Sequence, residues 1–84
     1  MIAKDRIIKY LLIEGFTQTK DNVYHKYLKR TNKVVVFMFR NCLVLKIICD
    51  SEVIRSKEMI FGKETKDLCE KIKELINILT YFGL

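Results

Sequence analysis

Proline and tryptophan are absent from this 84-residue chain, alanine occurs once, and there are three glycines, three cysteines and one histidine. Each shortage removes a class of explanation. With no proline and so little glycine there is no linker-like stretch, and no internal repeat or low-complexity segment appears. A single compact domain over residues 1–84 is therefore expected. Cys42, Cys49 and Cys69 are odd in number and lack framework spacing, which argues against a disulfide scaffold. All three fall in apolar periodic segments, where cysteine behaves as a small buried hydrophobe, so a reduced, cytoplasmic setting is expected. The lone histidine, His25, has no cysteine at zinc-ligand spacing, and Cys42 and Cys49 match no finger or ribbon. No metal and no cofactor is expected.

Long apolar runs are missing too. The longest, Val34 to Phe39, is far short of the ~20 residues that span a bilayer, and Met-Ile-Ala-Lys-Asp-Arg lacks the apolar core of a signal peptide. A soluble protein without a membrane partner follows as the expectation. Catalytic patterns are equally scarce. Gly62-Lys63 lacks both the glycine five positions earlier, where Lys57 stands, and the Ser or Thr that a phosphate-binding loop needs after its lysine. No paired-carboxylate spacing is visible. Cys69 lies near the start of a predicted helix, where the dipole favours a thiolate, but its place on the apolar stripe argues for burial and inertness. An enzyme is the least supported class.

What the chain does have is apolar residues, at half of the total, and a formal charge of +6. Lysine and isoleucine are abundant, a bias that fits an A/T-rich genome and a phage or mobile-element origin. A chain of this length buries only about 60–65% of its extended surface, and small domains often gain support by association, so a homodimer is expected.

The periodicity predicts an α+β fold, a four-stranded antiparallel β-meander flanked by N- and C-terminal helices in the order α-β-β-β-β-α. The first helix spans Lys4 to Glu14 on Ile7, Ile8, Leu11 and Leu12, with Tyr10 and Ile13 widening the stripe. Gly15 supplies a left-handed cap, with Phe16 packing back on the last turn, and Gln18 to Asn22 reads as a loop. Strands are predicted over Val23–Lys29, Val34–Phe39, Leu43–Cys49 and Val53–Phe61, where β-branched and aromatic residues concentrate. The last helix covers Thr65 to Tyr81 on Leu68, Ile72, Leu75, Leu79 and Phe82, with Gly83 ending it.

The two central strands, Val34–Phe39 and Leu43–Cys49, have no consistently polar face. A half-buried strand alternates apolar and polar, whereas a continuous run asks for cover on both sides. Two helices on one side would leave the other side for a partner. A three-residue connection at Arg40-Asn41-Cys42, with Asn41 left-handed, groups Val35, Phe37 and Phe39 with Leu43, Leu45 and Ile47. The opposite face then holds Val34, Val36, Met38, Val44, Lys46 and Ile48, the expected dimer or partner surface. A one-residue change of loop length exchanges these groupings.

The charge is concentrated. Residues 20–33 carry five basic groups against Asp21, a net +4, interleaved with Tyr24, His25 and Tyr27. Tyr24, Lys26, Tyr27, Lys29, Arg30 and Lys33 are therefore candidate contacts to a partner or a nucleic acid, the lysines and arginine on phosphates and the tyrosines stacking on bases. An ordinary edge strand carries the same composition, since lysines discourage unwanted pairing. The leading expectation is a non-enzymatic protein-binding regulator or inhibitor, for instance one acting on a host defence protein, and the alternative is a nucleic-acid-binding module.

Overall fold

The computed structural model describes residues 3–29, 31–61 and 65–81, with the side chains of residues 3 and 65–67 excluded. Helix α1 (Ala3–Ile13) leads into five strands, β1 (Thr17–Lys20), β2 (Val23–Tyr27), β3 (Lys33–Met38), β4 (Cys42–Cys49) and β5 (Glu52–Ile60), followed by helix α2 (Thr65–Tyr81). The strands form one antiparallel sheet in sequential order, β1-β2-β3-β4-β5. The α+β class and the flanking helices agree with the sequence expectation. The strand number does not, because Thr17–Lys20 is a strand and not part of a loop. Its four residues are polar and exposed, so they carry no hydrophobic alternation to read. They become a strand by pairing: Thr17 faces His25, Gln18 faces Tyr24 and Lys20 faces Val23, around a turn in which Asn22 takes a left-handed φ of 63°.

The end of α1 forms as its glycine predicts. Gly15 has φ 94°, its N–H donates to Leu12 O at 3.2 Å, and Phe16 N–H donates to Leu11 O at 2.9 Å. These two bonds satisfy carbonyls that the helix end would leave bare, and they turn Phe16 into the core, where it is 3% exposed.

The β3–β4 register differs from the expected one by a single residue. Phe39 N–H donates to Cys42 O at 2.8 Å, so the connection is only Arg40-Asn41, and Asn41 is not left-handed. Val34 consequently faces Ile47, Val36 faces Leu45 and Met38 faces Leu43. All six are essentially buried. Because side chains alternate along a strand, the one-residue slip moves every side chain of one strand to the other face of its neighbour. Val34, Val36 and Met38 therefore do not share a surface with Val44, Lys46 and Ile48.

Both helices lie on the face that these six residues define. Ile7 and Leu11 of α1 join Leu68, Ile72, Ile76 and Leu79 of α2 in one cluster with Tyr24, Val34, Val36, Met38, Leu43, Leu45, Ile47 and Met59. The two helices also touch each other. Burying an isoleucine or leucine side chain stabilises by about 1.5–3 kcal/mol, so this layer contributes strongly to the stability of the fold. Phe82 and Gly83, expected at the end of the α2 stripe, lie outside the described residues, as do Gly62 and Lys63. Among the described residues no helix is long and apolar enough to cross a membrane.

Candidate interaction surface

Among the described residues no helix lies over the opposite face of the sheet. Its side chains fall into rows set by the strand register. One row runs Tyr27, Lys33, Ile48 and Val53; the next runs Thr17, His25, Val35, Lys46 and Ser56; the third runs Lys20, Val23, Phe37, Val44 and Glu58. The centre is apolar, formed by Val23, Val35, Phe37, Val44 and Ile48. Val35 is 7% exposed because its neighbours shield it, while the other four are half-buried. Tyr27 and Phe39 stand out further, at 61% and 51% exposure. A shallow depression of about 300 Å³ crosses this face between Thr19, Val23, His25, Lys33, Phe37 and Ile48.

Two lysines lie over rings. Lys46 Nζ is 5.4 Å from the centre of the Phe37 ring, and Lys33 Nζ is 6.0 Å from that of Tyr27. Both separations fall within the range in which an ammonium is attracted to the negative face of an aromatic ring. His25 and Tyr27 make an edge-to-face pair with centroids 5.1 Å apart, and His25 Nδ1 is buried without a hydrogen-bond partner among the described residues.

The basic-aromatic segment is divided between the two faces. Tyr24 is 4% exposed and belongs to the core. Lys26 points to the same side, and its ammonium donates to Glu14 O at 2.7 Å at the end of α1. Alternation then sends Tyr27 to the helix-free side, where Lys33 joins it. Lys29 is exposed in the β2–β3 connection, and Arg30 lies outside the described residues. The six residues thus do not form one surface, and Tyr24 has no open ring face on which a base could stack. Nor is this segment an edge: β2 lies between β1 and β3, and β1 is the outer strand.

Of the expected partner surface, Val44, Lys46 and Ile48 are on the helix-free face, while Val34, Val36 and Met38 are 0–3% exposed beneath the helices. In their place stand Val23, Val35 and Phe37, with Lys20, His25, Tyr27 and Lys33 around them. The alternation Val23, His25, Tyr27 was visible in the sequence; only the neighbouring register was needed to attach it to Val35 and Phe37.

Cys69 and His25 are not brought together. Cys69 packs against the core from α2, while His25 faces the other side of the sheet. Burial raises the Cys69 thiol above its ordinary value, the opposite of what a nucleophilic thiolate requires. Among the described residues no group of three potential metal ligands is brought together. No family model, no curated protein and no solved structure matches this chain.

Proposed function

We propose that this protein is a small non-enzymatic regulator or inhibitor that docks another protein on the helix-free face of its sheet. One observation carries the reading: both helices cover the same side, leaving half-buried Val23, Phe37, Val44 and Ile48 around Val35 as an apolar centre with no described helix over it. Apolar patches on the surface of a small domain are often functional. A phage or mobile-element regulator of a host protein fits the size and composition.

The nucleic-acid alternative draws support from Lys20, Lys33 and Lys46 near Tyr27 and Phe37 on this face. It is weakened by the loss of Tyr24 and Lys26 to the core side, which removes a stacking ring and a phosphate contact from this face. The test is affinity capture from nuclease-treated host lysate with wild-type protein and with a Val44→Glu/Ile48→Glu variant. Retention of a protein by wild type and its loss in the variant, with the fold intact by circular dichroism, supports the reading. Equal capture by both removes it.

A further inference from the structure

The charge pattern and size of this face narrow the partner further. Among the strand residues of the helix-free face the charged groups are Lys20, Lys33, Lys46 and Glu58. Lys33 and Lys46 are on the central strands, inside the patch, whereas Glu58 is on the outer strand β5. Lys33 and Lys46 are half-buried residues beside apolar side chains, and their ammonium groups are best matched by carboxylates on whatever covers them, because docking removes water from both.

We infer that the occupant is an acidic amphipathic helix of a partner protein: one apolar stripe laid over Phe37, Val44 and Ile48, with carboxylates on its margins reaching Lys33 and Lys46. This rests on the sheet-face reading above. Three arguments favour that occupant. Strands spaced about 4.8 Å apart and rising about 3.4 Å per residue make the face roughly 20 Å by 17 Å. That flat footprint of roughly 300–400 Å² is small for a standard protein–protein interface, which buries ~800 Å² of accessible surface per partner, and it suits a segment better than a second globular copy. Self-pairing would also set three lysines and one glutamate against the same set, with the two central lysines lacking carboxylate partners. Finally, a helix laid on an apolar sheet face is how α1 and α2 cover the other side, and about 15 residues at 1.5 Å rise span the patch.

The probe is a synthetic 15-residue helical peptide with one leucine stripe flanked by glutamates, followed by fluorescence anisotropy. Its controls are the same peptide with lysine for glutamate, and labelled oligothymidylate and oligouridylate. Binding of the glutamate peptide alone is expected. Lys33→Glu/Lys46→Glu should weaken it about tenfold, as two lost charge pairs would, and raising salt from about 0.05 to 0.5 M should weaken it too. No binding of the glutamate peptide, equal binding of the lysine peptide, or an unchanged affinity in the charge-reversed variant overturns the inference. Tighter binding of either oligonucleotide through the same lysines overturns it in favour of nucleic acid, and a doubled mass by light scattering that Val44→Glu/Ile48→Glu returns to monomer overturns it in favour of a second copy. The two levels separate in the lysate experiment. Capture lost in Val44→Glu/Ile48→Glu but kept in Lys33→Glu/Lys46→Glu ends the acidic-helix inference and leaves the sheet-face reading standing. Capture indifferent to both variants ends the sheet-face reading itself.

Discussion

Val35 and Lys46 stand directly opposite each other on β3 and β4, on the side of the sheet that neither helix covers. The pair marks the register that separates interior from surface. Val34 and Ile47, one residue away on each strand, are fully buried.

The register predicts a sharp contrast between neighbouring substitutions. Val34→Asp should abolish folding, because a carboxylate would enter the buried layer opposite Ile47, where the neighbouring Lys26 ammonium is already held by Glu14 O. Val44→Asp should leave the fold intact, and Leu45→Ala, between the two in depth of consequence, should cost about 2–5 kcal/mol. Urea unfolding followed by circular dichroism checks all three. A folded Val34→Asp protein would contradict the register.

Gly15 should not tolerate a side chain. A Cβ there meets only Lys26 Cε, at 4.0 Å, so space is available, but φ 94° lies outside what L-residues readily adopt. Gly15→Ala is expected to lose about 1–2 kcal/mol, and Gly15→Asn less, by chemical denaturation.

Lys26 is expected to act on stability and not on binding. Its ammonium ties β2 to the end of α1 through Glu14 O at 2.7 Å. Lys26→Met keeps the aliphatic stem but removes the donor, and should cost about 1–2 kcal/mol. Its affinity for any partner should match that of wild type in anisotropy or calorimetric titration.

Tyr10 makes the protein sensitive to alkali. Its phenol is pushed up to about 12 by burial first, then by Glu14 and Cys69. The folded state thus holds the proton where the unfolded chain releases it. The resulting stabilisation is complete below the ordinary value of 10 and is lost as pH rises towards 12. Cys69, raised by burial, acts in the same direction from its ordinary value of 9 upward. Tyr10→Phe should reduce the alkaline loss in denaturant midpoints measured between pH 8 and 11. At neutral pH it should not destabilise, since the Tyr10 hydroxyl is buried without a partner among the described residues.

Local chemistry alone made several elements legible. The i, i+4 stripes of α1 and α2, the Gly15 cap with Phe16 packed behind it, and the β-branched runs of β3 and β4 follow from propensities within a few residues. So did the surplus of apolar surface in the central strands, because neither run offers a polar face. Other features needed the folded chain. Thr17–Lys20 is a strand only because β2 presents an unpaired edge to it, and no apolar alternation announces that. The Arg40-Asn41 connection is one residue shorter than expected, and strand periodicity turns that small error into an exchange of interior and exterior. Tyr24 and Lys26 were assigned to a surface by composition, which has no sense of direction; alternation against β3 sent them inward.

The amino-acid order by itself determined both helices and four of the five strands, and that the central strands carry apolar residues on both faces. Tertiary structure decided which side is hidden and which lysines and rings meet on the other. Secondary structure answers to neighbours in the chain, whereas strand register and helix placement answer to residues brought together only by folding.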